Sequence, residues 1–140
     1  MMPAIREGRP EDIAACARIY ERALPMAFPR LAPIGAGERE FADSIAGEEL
    51  WVAENEGRIA GLITIWRPDA FIHHLYIVPA WQRRGLGRAL LAFALRRCGG
   101  HAALKCNEAN RPAHAFYQAA GWRPAGWGWS AHGAWIRFRY

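Results

Sequence analysis

Residues 75–91 read Leu75-Tyr76-Ile77-Val78-Pro79-Ala80-Trp81-Gln82-Arg83-Arg84-Gly85-Leu86-Gly87-Arg88-Ala89-Leu90-Leu91. An apolar strand runs into a proline, then into a basic loop with two glycines, then into the first turn of a helix. Proline ends the strand because it cannot donate to a ladder. A helix start leaves about four N–H groups without intrahelical partners, and these donors together with the helix dipole favour phosphate. Gly85 and Gly87 allow close approach of main chain to a ligand. Arg83, Arg84 and Arg88 add charge that can fork onto phosphate oxygens. The stretch therefore reads as a pyrophosphate cradle. It is neither of two better-known phosphate loops: G-x-x-x-x-G-K-[ST] is missing, and Gly85-Leu86-Gly87 lacks the third glycine of G-x-G-x-x-G.

Downstream, Leu86, Leu90, Phe93 and Arg97 follow helical spacing, thickened by Leu91 and Leu95, and Gly99-Gly100 closes that helix. Ala102 to Cys106 is a short strand. Asn110 then stands as an N-cap, with Pro112 in the first turn and Gly121 just past the end of a short helix. The large residues of the tail alternate, which predicts two closing strands around Ala131-His132-Gly133. Upstream, Leu50–Glu54 and Arg58–Trp66 form a hairpin about Asn55-Glu56-Gly57, and Ala70–Val78 continues the meander after Pro68-Asp69. Ala4–Glu7 is a first strand. Pro10-Glu11-Asp12 opens a helix running to about Leu24, an irregular loop follows from Pro25 to Gly37, and a short helix spans about Glu38 to Ala46 with Phe41 and Ile45 on one side. This order mixes an antiparallel meander with one strand–helix–strand crossover.

At 140 residues and 15.7 kDa, residues 1–140 are expected to form a single domain. The net charge is +5, carried by seventeen arginines and a single lysine, Lys105, against thirteen acidic residues. Such a balance suits an anionic partner, either nucleic acid or a phosphorylated small molecule. The arginines are scattered and no nucleic-acid motif accompanies them, so no nucleic-acid partner is expected. No run approaches the ~18 apolar residues of a membrane span. The first residues hold no apolar signal core, and a cytoplasmic protein with no membrane partner is expected. Cys16, Cys98 and Cys106 are odd in number and lack C-x-x-C spacing, which argues against a disulfide framework or a zinc site.

The segment Gln82-Arg83-Arg84-Gly85-Leu86-Gly87 resembles the acetyl-CoA loop, Q/R-x-x-G-x-G/A, of the GCN5-related N-acetyltransferases (GNAT). A second block, Leu104-Lys105-Cys106-Asn107-Glu108-Ala109-Asn110 and then Ala115-Phe116-Tyr117-Gln118-Ala119-Ala120-Gly121-Trp122, is similar to the family's N-x-x-A-x-x-x-Y-x-x-x-G-F. Ala113 falls on the alanine position, and Trp122 replaces the usual Phe. The two blocks span Phe71 to Trp122; the rest of the chain resembles the family in layout only. The resemblance implies an α/β (α+β) fold with a mixed, mostly antiparallel central sheet of about seven strands flanked by about four helices. It implies an N-acetyltransferase that uses acetyl-CoA as co-substrate, without a metal. The acceptor would be a primary amine, on a small molecule or a peptide, attacking directly in a ternary complex. It also implies a monomer or homodimer. The alternative is a non-catalytic acyl-CoA sensor of the same fold.

By the same resemblance, pyrophosphate rests on the N–H groups of Arg83, Arg84, Gly85, Leu86, Gly87 and Arg88. Pantetheine runs along Leu75, Tyr76 and Ile77, where this strand splays from the next, and the Ile77 N–H polarises the thioester carbonyl. Tyr117 contacts the cofactor and protonates the leaving sulfur. Asn110 caps its helix and contacts the cofactor. The base is less constrained. Strict alternation puts His73 on one face with Phe71, Leu75 and Ile77, and His74 on the other with Ile72, Tyr76 and Val78. Histidine suits proton transfer near neutrality. His73 leads, His74 follows if a bulge swaps the faces, and a merely hydrogen-bonded strand histidine stays open. Glu54 is a further carboxylate candidate, and Lys105 stands where some family members carry a base glutamate. Trp127, Trp129 and Trp135 are candidates for an aromatic acceptor wall, Met26, Phe28 and Leu31 for an apolar lip. His114 is expected outward and solvated, Cys106 in the core.

Overall fold

Arg58–Trp66 carries apolar residues on both sides of its pleat, and Ala60 to Ile65 are all buried. A strand of that kind needs a helical layer on each face. The computed structural model, which describes residues 2–28 and 37–140, supplies both. Its strands are β1 (Ala4–Glu7), β2 (Glu49–Asn55), β3 (Arg58–Trp66), β4 (Phe71–Ile77), β5 (Ala103–Asn107), β6 (Arg123–Ser130) and β7 (Gly133–Arg139). They form one sheet in the order β1-β2-β3-β4-β5-β7-β6, antiparallel at every step except β4–β5. The helices are α1 (Ile13–Ala27), α2 (Glu38–Ser44), α3 (Leu86–Arg97) and α4 (Arg111–Ala119).

The alternation of β2 and β3 divides the core in two. Val52 and Leu62 join Cys16 and Ala17 of α1 and Phe41 of α2 on one face. Ala53, Ile63 and Ile65 join Leu86, Leu90, Leu91 and Ala94 of α3, with Phe138 and Trp122, on the other. The parallel step β4–β5 is bridged by α3, as a strand–helix–strand crossover requires.

Two expectations change. The first helix does not stop at Leu24: it includes Pro25 and ends at Ala27. A proline in the last turn removes one hydrogen bond only, and buried Leu24 still closes that turn, its carbonyl accepting from the Phe28 N–H at 2.8 Å. The expected irregular loop is thereby shortened; its residues 29–36, Leu31 among them, lie outside the described residues. The second change is in β4. Thr64 pairs with His74 and Ile65 with Ile72, so His73 is an extra residue, a β-bulge. The bulge breaks strict alternation. Ile72, Leu75 and Ile77 all pack into the α3 core, whereas Tyr76 packs with the α1–α2 core and the His74 ring meets Tyr20 and Phe41 there. His73 stacks on His74, with ring centroids 3.8 Å apart, and therefore does not share a face with Leu75 and Ile77.

Phe138 of β7 is buried against Leu104 and holds its ring 5.7 Å from those of Tyr117 and His114. Phe138→Ala is expected to lower unfolding free energy by about 3–5 kcal/mol, read by urea denaturation. A loss under about 1 kcal/mol would mean that this wall of the core collapses without leaving a cavity.

Candidate active site

β4 and β5 pair only at Phe71–Ala103 and Ile72–Leu104, then part. The Val78 N–H donates to Ala60 O at 2.9 Å, so by the alternation of an antiparallel ladder Leu75 and Ile77 turn their main-chain groups away from β3, toward the gap. The Ile77 carbonyl is taken by the Gln82 side chain, whose Nε2–H donates to it at 3.0 Å. Gln82 thus ties the loop to the strand end. After a 3₁₀ turn at Pro79–Trp81, Arg83 and Gly85 both adopt left-handed backbone, with φ of 61° and 86°. The first helical bond of α3 runs from Ala89 N–H to Gly85 O (3.0 Å), which leaves the N–H groups of Leu86, Gly87 and Arg88 without intrahelical partners. A Cβ at Gly87 would stand 3.3 Å from the Phe116 ring and 3.7 Å from Ile77, so a large side chain there would crowd this wall. These donors and this clearance fit a pyrophosphate followed by an extended arm.

A cavity of about 1630 Å³ joins the loop to the gap. Gln82, Arg83, Gly85, Gly87, Arg88, Leu75, Tyr76, Ile77, Asn110, Tyr117 and His73 all border it. Two loop arginines spend their side chains elsewhere. Arg84 lies over the Trp81 ring (4.8 Å), and the Arg88 guanidinium donates to Ala119 O at the end of α4 (3.1 Å). The Leu86 side chain is core. Asn110 stands at the N-cap of α4 but makes no side-chain capping bond, contrary to expectation, so its amide is not committed to the helix. Burial pushes the Tyr117 phenol up from its ordinary range, with a smaller contribution from Cys106, so it stays protonated at neutral pH.

The two histidines have different chemistry. His74 is 6% exposed and fully engaged. The Ser44 hydroxyl donates to Phe41 O (2.7 Å) and therefore accepts from His74 Nε2–H (3.4 Å). His74 Nδ1 then accepts from the Tyr76 hydroxyl (3.2 Å). Burial, helped by His73, pushes the His74 pKa down to about 3, so the ring is neutral. His73 is 39% exposed at its side chain and borders the cavity. Its Nδ1–H donates to Glu48 Oε2 at 2.7 Å, which leaves Nε2 as the lone-pair nitrogen of the neutral ring. Glu48 is the residue sequence reasoning missed. It lies twenty-five positions from His73. The turn between α2 and β2, where Gly47 takes φ +82° and the Glu48 N–H donates to Ile45 O (2.9 Å), brings it there. No local spacing signals it.

Other candidates sort by geometry. Glu54 is paired with Arg6 at 2.6 Å. His114 is half-buried, its Nε2–H donating to Asn107 O at 3.0 Å, and so is not the solvated residue expected. Cys106 is buried, and burial pushes its thiol up to about 12. Trp135 borders a second, smaller cavity, while Trp127 and Trp129 are 73% and 72% exposed and border neither. Met26 and Phe28 border the larger one. Among the described residues the three cysteines are free, no group of side chains has metal-binding spacing, and no helix is long and apolar enough to cross a membrane.

A parallel strand pair that opens into a glycine-bearing loop at a helix start, within a sheet of this order, defines the fold of the acetyl-CoA-dependent N-acetyltransferases. Residues 33–138 match the family described as Acetyltransferase (GNAT) domain, and the chain belongs to that family. It is 32% identical over 85 residues to the peptidyl-lysine N-acetyltransferase YiaC of Escherichia coli (strain K12); the match spans 61% of this chain and 57% of that relative's length. Two crystal structures share the fold. A GCN5-related N-acetyltransferase from Rhodopseudomonas palustris superposes with a TM-score of 0.82 at 19% identity, covering 99% of this chain and 95% of the other. A GNAT superfamily phosphinothricin acetyltransferase from Sinorhizobium meliloti, solved in complex with AcCoA, gives 0.75 at 20% identity over 100% of this chain and 88% of that one.

His74 binds no proton in the folded state until pH approaches about 3, whereas an unfolded histidine binds one below 6.5. The unfolded state therefore holds the extra proton in this window, and stability falls as pH drops from 6.5 toward 3, by up to about 1.4 kcal/mol per pH unit. Urea midpoints across this range should fall more steeply for the wild type than for His74→Asn. Parallel profiles would contradict the neutral, buried assignment.

Proposed function

We propose that residues 1–140 form a single-domain N-acetyltransferase that moves an acetyl group from acetyl-CoA to a primary amine by direct attack in a ternary complex, acting in the cytoplasm as a monomer or homodimer. The observation that carries this reading is that a histidine with a free Nε2 and a protonated phenol, His73 and Tyr117, border one cavity with the phosphate loop. The peptidyl-lysine relative supports an amine acceptor.

The N–H groups of the loop and of Leu86, Gly87 and Arg88 would hold the pyrophosphate, with Arg83 adjoining, and the exposed edge of Leu75 and Ile77 would hold the arm. Bound acetyl-CoA supplies an activated acetyl thioester at the end of that arm. The Ile77 N–H is aimed into the gap and offers a donor to a carbonyl oxygen. His73 Nε2 accepts the proton that an ammonium must lose before it can attack, and Glu48 steadies the imidazolium that results. The Tyr117 O–H gives a hydrogen bond, and finally its proton, to a departing sulfur, a transfer that depends on close approach because the phenol holds its proton tightly. Asn110, free of its helix, is placed to bond the arm.

Tyr117→Phe should lower turnover roughly 10²-fold or more, while calorimetry finds acetyl-CoA affinity nearly intact. Unchanged turnover would remove Tyr117 from the chemistry. His73→Ala should abolish the acid limb of the pH–rate profile, and Glu48→Gln should move that limb and lower kcat less. An acid limb that ignores both substitutions would assign the base elsewhere. Acetyl-CoA binding with no thiol released against any amine would leave the sensor reading.

A further inference from the structure

The last β4–β5 pair is Ile72–Leu104, so the first residues past the parting are His73 on one strand and Lys105 on the other. Both side chains border a cavity of about 500 Å³, a size suited to a small molecule. His73 leads to Glu48, and Glu40 of α2 also borders this cavity. Lys105, the chain's single lysine, is exposed and holds its ammonium 4.2 Å from the Trp135 ring centroid and 6.0 Å from that of Phe71. Trp135 can lie where it does because Gly128 is opposite it; a Cβ there would overlap the indole. Among the described residues no carboxylate forms an ion pair with Lys105.

The cavity thus has a carboxylate-backed pole that takes a proton from an amine and a cationic pole with no anion of its own. An acceptor bearing only an ammonium would be repelled by Lys105, whereas one that brings a negative charge would satisfy it. We propose that the acceptor is an amine carrying an anionic group, a free amino acid being the simplest member, with its amine at His73 and its carboxylate on Lys105 beneath Trp135. This inference rests on the transferase reading for its amine end only; the anion end is independent of it.

The test offers the standard amino acids as free acids and as primary amides, together with a lysine peptide blocked at both ends. Calorimetry in the presence of coenzyme A reads binding, and thiol release from acetyl-CoA reads transfer. The best free acid should bind and react at least about tenfold better than its amide, as expected for a hydrogen-bonded charge. Lys105→Met should bring that ratio toward one, and Lys105→Arg should keep part of it. Equal acid and amide in the wild type, a ratio indifferent to Lys105→Met, or preference for the blocked peptide would overturn the proposal. So would an acetyl group found on Lys105 itself by mass spectrometry, which would make the lysine the acceptor. If free acids bind in a Lys105-dependent way but no amine releases thiol, the transferase reading fails and the anion site stands. If amides and peptides react as well as acids, the reverse holds.

Discussion

Two strands that leave each other after two residue pairs determine most of what this molecule can do. β4 and β5 begin as an ordinary parallel pair, held by Phe71–Ala103 and Ile72–Leu104. Just there the bulge at His73 turns β4, because an inserted residue sharpens the local twist. Main-chain groups of Leu75 and Ile77 that a flat sheet would consume are left facing the gap. The Ile77 carbonyl takes the Gln82 Nε2–H; the groups still unpaired must find a partner, and in the proposed complex an extended ligand arm would satisfy them as a further strand would. The crossover helix α3 starts at the mouth of the same gap, so in the proposed complex its unpaired N–H groups would meet the far end of that arm.

The bulge also sets the electrostatics. It puts two consecutive imidazoles on one side of the sheet and stacks them. One is enclosed by Tyr20, Phe41 and Tyr76 and held neutral. A neutral His74 beneath His73 adds no positive charge of its own to the residue proposed as the base. The carboxylate of Glu48, 9% exposed at its side chain, gives that proton a counterion. Tyr117 on the opposite helix is kept a donor by burial. The proposed proton acceptor, His73, and the proposed donor, Tyr117, therefore border one cavity without a hydrogen bond between them.

Loop geometry was legible because it is local. Gln82 to Gly87 must be contiguous for successive N–H groups to converge on one ligand, and glycine eases the positive φ at position 85 and the close neighbour at position 87. Element order was legible for a similar reason: Pro79, Gly99-Gly100 and Gly57 punctuate segments whose hydrophobic period is distinct. The side-chain details were less so. Asn110 has the composition of a cap yet makes no capping bond, and Arg84 and Arg88, read as phosphate ligands, direct their guanidinium groups to Trp81 and Ala119. An arginine side chain is long enough to choose among partners that lie far off in sequence.

By itself the sequence determined the order of strands and helices, the glycine loop and the family to which the chain belongs, since each depends on residues within a turn or two of one another. Tertiary structure alone decided which histidine keeps a free nitrogen, that Glu48 stands behind it, and that Lys105 lies against Trp135 at a cavity His73 also borders. Those outcomes depend on a one-residue insertion in the β3–β4 register and on contacts between residues far apart in the chain. A two-residue period carries no mark of such an insertion, and only the packed sheet, which must bury Ile72, Leu75 and Ile77 on one face, selects where the extra residue goes.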